Sequence, residues 1–200
     1  YYGCNDHLNL TDPASVSKVH NSFLDVGVDV IETNTFRSNR ITLTEFGLAD
    51  KADQINRMGA QIARKAADAF STPDHQRFVA GAMGPSGKIL SLQTDGNSDQ
   101  ALSFDDIQEV YCQQAACLIA GGVDLLLIET AQDILEVKAA ILGIHDAFTK
   151  THTLLPIQAQ VTLNTNGTML TGTDIQAVLA ILEGMNPGMI EIILPTGPAE

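Results

Sequence analysis

Cysteine is scarce in this 200-residue chain, which has three, and so is positive charge, with 11 Lys and Arg residues against 24 acidic ones. Cys4, Cys112 and Cys117 are an odd number in a chain too long to need covalent staples, which argues against a disulfide framework and for a reducing, cytoplasmic setting. None forms a CxxC pair. Cys112 and Cys117 stand five apart on a predicted helix and point different ways, a poor metal site, so the cysteines read as buried structural thiols. A net charge of -13 with no Lys/Arg cluster argues against nucleic acid and anionic membrane surfaces as partners. No apolar run approaches the roughly 20 residues a bilayer requires, and no basic start leads into an apolar segment.

Familiar catalytic and phosphate-binding signatures are missing as well. No GxGxxG follows the first predicted strand, and GPSGKIL at Gly84–Leu90 lacks P-loop spacing. His7, His20, His75, His145 and His152 show neither HxxxH nor HExxH spacing, and no GxSxG elbow occurs. His20 and His145 fall on predicted helices, as surface or outer-layer residues.

With 44% hydrophobic and 18% charged residues, the chain suits one globular domain over residues 1–200. It opens with Tyr1 and stops at Glu200 just after an apolar run, so both ends read as cut. Apolar runs bounded by glycine alternate with amphipathic stretches, with no Pro/Ser-rich linker, the pattern of a parallel sheet with crossover helices. Strands are predicted at Val28–Thr33, Phe78–Gly84, Val123–Thr130, about Leu155–Leu163, and from Met189. Helices are predicted from near Thr11 or Asp12, with Val16, Val19, Phe23 and Val26 at helical spacing, and from about Lys51 to Phe70, with Ile55, Met58, Ile62, Ala66 and Ala69 on one face. Three more are predicted: one starting near Ser103 with Ile107, Val110, Gln114 and Leu118 on one side, one marked by Ile134, Val137, Ile141, Ile144 and Phe148, and one carrying Ile175, Val178, Leu179 and Leu182. Near-continuous Val/Ile/Leu strands imply that protein covers both sheet faces. The fold expected is α/β, an incomplete (β/α)8 TIM-type barrel with five strands visible and its first and last strands missing.

One phrase occurs twice: GVDVIET at Gly27–Thr33 and GVDLLLIET at Gly122–Thr130. Each copy sets a glutamate and a threonine at the C-terminal end of a strand, where barrel active sites are built. Glu32 and Glu129 can equally face solvent or start the next helix. Their matched positions, and Asn34 and Thr35 after the first, favour a shared mouth. From the residues alone, a barrel enzyme acting on a small molecule is the sharpest reading.

GCNDHLNLTDP (Gly3–Pro13), GVDVIETNTFRSNRITLTEFGL (Gly27–Leu48), FVAGAMGP (Phe78–Pro85), GGVDLLLIETAQDILEVKAA (Gly121–Ala140) and QVTLNTNGTMLTG (Gln160–Gly172) resemble the homocysteine S-methyltransferase domain of cobalamin-dependent methionine synthases. The resemblance implies a barrel that binds homocysteine at its strand C-terminal ends and passes a methyl group from methylcobalamin to the thiol, giving methionine. It implies a zinc ion held by three cysteines, with cobalamin and folate modules on the same polypeptide. It places Thr33, Asn34 and Glu129 around the ammonium and carboxylate of the substrate, and names no catalytic residue here. This chain departs from the family at the metal: Leu194 occupies the position of the first zinc cysteine, and the other two belong beyond Glu200. No metal ligand is therefore expected in these 200 residues, which read as inactive alone. Two alternatives stand beside this reading: a homocysteine methyltransferase using betaine or S-methylmethionine, and a non-catalytic amino-acid-binding paralogue.

Overall fold

Asp12 accepts a hydrogen bond from the Ser15 N–H and Pro13 fills the first turn, so the first long helix starts where its sequence dictates. The computed structural model describes residues 3–92 and 102–193. Its elements are α1 (Leu8–Thr11), α2 (Pro13–Asp25), β1 (Val30–Glu32), α3 (Arg40–Thr44), α4 (Ala52–Phe70), β2 (Phe78–Met83), α5 (Phe104–Gly121), β3 (Leu125–Ala131), α6 (Ile134–Thr151), β4 (Ile157–Thr162), α7 (Ile175–Met185) and β5 (Met189–Ile193), with short 3-10 turns between some of them. The five strands pair in the order β1-β2-β3-β4-β5 and every pair is parallel. That is the chain-order sheet the alternating pattern predicts, without the reversal of a doubly wound fold.

Two helices match their predicted faces residue for residue. Ser103 and Asp106 close a capping box at the start of α5, Gly122 ends it at φ 96°, and Ile107, Val110, Gln114 and Leu118 are all buried. In α6 the predicted stripe Ile134, Val137, Ile141, Ile144 and Phe148 is buried throughout.

Two others are rotated. In α2 the buried residues are Val16, His20 and Leu24, whereas Val19, Phe23 and Val26 are 55%, 56% and 80% exposed. His20 is therefore a core residue and not a surface one; burial lowers its pKa because the charged ring loses water. In α4 the inward stripe is Ile55, Gly59, Ala60, Ala63, Ala66 and Ala67, with the bulkier Met58 and Ile62 at its margin. Small residues win the central position because α5 lies so close: a Cβ on Gly121 would sit 2.4 Å from the Ala60 Cβ.

The sheet has two unlike faces. Ile31, Val79, Gly81, Met83, Leu126 and Ile128 face the helices; a Cβ on Gly81 would meet Leu118 of α5 at 3.2 Å. Strand alternation and register put Val30, Glu32, Phe78, Ala80, Ala82, Leu127, Gln158, Gln160 and Glu191 on the other face. That face is buried at Ala80, Ala82 and Leu127 in the middle and open at Val30, Phe78 and Met189. The expectation that protein covers both faces holds in the middle of the sheet only: at Val30, Phe78 and Met189, where β1, β2 and β5 begin, the second face is open.

The repeated GVD phrase anchors the N-terminal ends of β1 and β3. Asp29 bonds Arg77 at 3.1 Å and His75 at 2.5 Å. Asp124 accepts from the Val79 N–H at 2.7 Å and from Arg64 at 2.6 Å. Each aspartate ties its strand entry to a neighbour, and the matching glutamate lies at the far end, where the strand exits.

Candidate functional site

At the exit ends of the strands the open face turns polar. β4 supplies Gln158, Gln160 and Thr162, which alternate with buried Ile157, Ala159 and Val161. β5 supplies Glu191, paired in register with Gln160, and β1 supplies Glu32. Glu129, on β3, is half-buried.

These carboxylates influence one another. Glu129 is pushed up to about 7, first by burial and then by the negative charge of Glu32. Glu32 is raised in turn by burial and by Glu191. β1 and β5 are the opposite edges of the sheet, and in a flat five-stranded sheet these two side chains would stand roughly 19 Å apart, at four spacings of about 4.8 Å. At that separation screening would leave little repulsion. A sheet that curls towards a closed barrel, and not a flat one, would bring the two edges within reach of each other.

The backbone at Glu129 is irregular. The β3–β4 register shifts between Ile128 and Ala131, and Thr130 takes a left-handed conformation at φ 59°, uncommon for a β-branched residue. The Thr130 N–H donates to the Gln160 side-chain Oε1 at 3.1 Å. Strain of this kind concentrates at functional positions.

Thr33 and Asn34 follow Glu32, and all three line one cavity of about 410 Å³ beside α2. The Thr33 hydroxyl is buried; it accepts from the Ala82 N–H at 2.9 Å and shares a 2.5 Å hydrogen bond with Thr35, whose hydroxyl reaches the Ala82 carbonyl at 2.7 Å. These bonds stitch β1 to β2 beyond the last ladder pair. Asn34 donates to the Asn5 carbonyl at 2.9 Å and to Asn9 Oδ1 at 3.1 Å, fixing the N-terminal segment over the strand exit. The structure sets Glu32 and Glu129 at the exit ends of β1 and β3, with the charge of Glu32 lifting the Glu129 carboxyl, and leaves the polar groups of Thr33 and Asn34 engaged with protein. Sequence reasoning missed Gln160 and Glu191. The glutamine alternation along β4 was a usable signal, whereas Glu191 required the register.

No group of three His, Cys, Asp or Glu residues among the described residues is placed to hold a metal ion. Cys4, Cys112 and Cys117 are buried and unpaired, and burial raises all three thiols, Cys117 to about 11. They do not form the ligand set that a zinc ion needs. Leu194 lies outside the described residues.

The family profile of homocysteine S-methyltransferases matches residues 2–194. The methionine synthase of Mycobacterium leprae is 39% identical over 198 residues, covering 99% of this chain and 16% of that protein, and the Mycobacterium tuberculosis enzyme gives the same figures. This chain therefore spans less than a fifth of those relatives. Among solved structures, the metallated form of the Escherichia coli homocysteine methyltransferase MmuM superposes with a TM-score of 0.75 at 22% identity, covering 92% of this chain and 64% of that one. Its apo form gives 0.69 at 21% identity. The sheet of parallel strands in chain order is thus the fold of that enzyme, and the chain belongs to the homocysteine S-methyltransferase family.

Proposed function

We propose that this chain is the homocysteine-binding part of a methionine-forming methyltransferase, an incomplete (β/α)8 barrel forming one domain over residues 1–200. Its acidic mouth holds the ammonium of the amino acid. The observation that carries this reading is the Glu32–Glu129 pair at the strand exits: a partly enclosed carboxylate beside a second one is short of positive charge, and an ammonium supplies it. Glu129 is the direct partner; Thr33 and Asn34 form the wall beside Glu32. The open inner face at Val30, Phe78 and Met189, and the exposed apolar stripe of α2, support further barrel strands and helices beside both sheet edges.

Methyl transfer to sulfur needs a thiolate, so the whole enzyme must deprotonate homocysteine. The described residues do not fit the family's zinc, and no step is assigned to them beyond binding and orienting the amino acid. Identity of 39% to methionine synthases, against 22% to MmuM, favours methylcobalamin from another module of a longer polypeptide as the methyl source. It places the S-methylmethionine and betaine donors second, and a non-catalytic amino-acid-binding paralogue third. The natural setting is the cytoplasm, where the unpaired thiols stay reduced.

Calorimetric titration with L-homocysteine tests the reading. Glu129→Gln should weaken binding by roughly tenfold, about 1.4 kcal/mol. An affinity equal to that of the unsubstituted chain removes Glu129 from the site, and no heat from the unsubstituted chain removes the site.

A further inference from the structure

We infer that Gln160 is the positioning residue of this mouth: its side-chain oxygen holds the Thr130 N–H, and so fixes the irregular turn that presents Glu129. The substrate role given to Glu129 rests on the proposed function; the positioning role rests on geometry alone.

Three observations meet at this point. The β3–β4 ladder is regular up to Ile128, which pairs with Ala159, and resumes at Ala131, which pairs with Val161. Two residues of β3, Glu129 and Thr130, thus stand against the single Gln160 of β4. A regular ladder would satisfy the Thr130 amide with a main-chain carbonyl; here a side chain does so at 3.1 Å. Because a backbone N–H can only donate, the acceptor must be the carbonyl oxygen of the Gln160 amide, which fixes the orientation of that group. Thr130 meanwhile sits at φ 59°, a conformation that strains a β-branched residue and persists only where neighbours enforce it.

β4 uses its other inner-face glutamine in the same way. Gln158 Nε2 donates to Glu191 at 2.5 Å across the β4–β5 pair. The two glutamines reach to opposite sides of their strand, one setting the β3 turn and the other holding the β5 carboxylate. Glu32 repels Glu129, and Glu191 repels Glu32, so these side chains would spread into solvent without such restraints. Gln160 opposes this for Glu129 through the backbone, without adding a charge.

The experiment is a carboxyl-carbon NMR titration of the full 200-residue chain with its glutamates labelled, Glu129 being assigned by Glu129→Gln. In Gln160→Leu the turn loses its acceptor, and the Glu129 carboxyl should titrate about one pH unit lower as it moves away from Glu32 into water. Adding Thr130→Gly, which adopts φ > 0 without strain, should bring the Glu129 titration back towards its original midpoint. Loss of a merely structural hydrogen bond would lower the melting temperature and leave the midpoint where it was. The inference is overturned by an unchanged midpoint in Gln160→Leu, or by failure of Thr130→Gly to restore it. Should Gln160→Leu not fold, Gln160→Asn, whose shorter side chain withdraws the acceptor, must show the same lowered midpoint, and an unchanged one overturns the inference equally. L-homocysteine titrated into the unsubstituted chain decides the substrate reading separately: absence of binding there leaves the Gln160 result standing and removes the ligand assigned to Glu129.

Discussion

Glu129 costs this protein stability at the pH where it would bind its ligand. Its carboxyl is raised from 4.5 to about 7 by burial and by Glu32, so the folded chain holds that proton more tightly than the unfolded chain does. Below pH 4.5 both states are protonated and there is no penalty. Between 4.5 and about 7 the folded state binds more protons, so stability falls as pH rises, reaching a deficit of about 3 kcal/mol above pH 7. Glu129→Gln removes the ionisable group and should therefore stabilise the chain at pH 8 by up to about 3 kcal/mol, while changing little at pH 4. Urea unfolding at the two pH values measures this; an equal effect at both would mean that charge is not the cause. Glu129 was legible from the repeated GVD…ET phrase, because the phrase places a carboxylate at a strand exit in each copy. Its electrostatic environment was legible only in part: the matched phrases put Glu32 at the same mouth, whereas Glu191, which acts on Glu32, required the sheet register.

At the scale of elements, periodicity located every long helix, gave the faces of α5 and α6 in full, and misjudged those of α2 and α4. α5 and α6 bury the stripes that hydrophobicity predicts. α4 turns a ridge of alanine and glycine inward, because a close helix approach gains more from small side chains than from one bulky residue at the seam. α2 leaves Val19, Phe23 and Val26 outward and buries His20, a choice that depends on what lies beside β1 and not on the helix's own sequence. Gly143 illustrates how tight these seams are. It lies in α6 against α5, and a Cβ there would fall 2.3 Å from the Gln108 carbonyl oxygen and 2.9 Å from the Cys112 nitrogen. Both are backbone atoms, so relief requires the helices to part. Gly143→Ala, which in an exposed helix would be favourable, should here cost about 1–3 kcal/mol by overpacking, read as a lower urea midpoint. A midpoint raised by the substitution would mean that the α5–α6 seam is looser than described.

For the molecule as a whole, the alternation of apolar runs with amphipathic helices was enough to give a parallel sheet in chain order, and the absence of a glycine-rich turn after β1 was enough to set aside the dinucleotide fold. Curl was hidden, because it follows from how strands shift against one another, as at the β3–β4 bulge, and not from any strand's composition. The metal question also belongs to this scale, since a zinc site needs ligands from several elements converging on one point. Here Cys4 precedes the first helical turn, Cys112 and Cys117 lie in α5, and all three are buried with raised thiol pKa values. Zinc would have to displace those protons and pull the thiols out of their packing, against the stability of the fold. The 200-residue chain, dialysed against zinc and then against buffer, should therefore retain far less than one ion per molecule by elemental analysis. Leu194→Cys should not change that, because a single added thiolate cannot by itself compete with water and buffer for the ion. Stoichiometric zinc in the unsubstituted chain would show that side chains converge in a way the described residues do not, and would reopen metal-assisted activation of the homocysteine thiol within this segment.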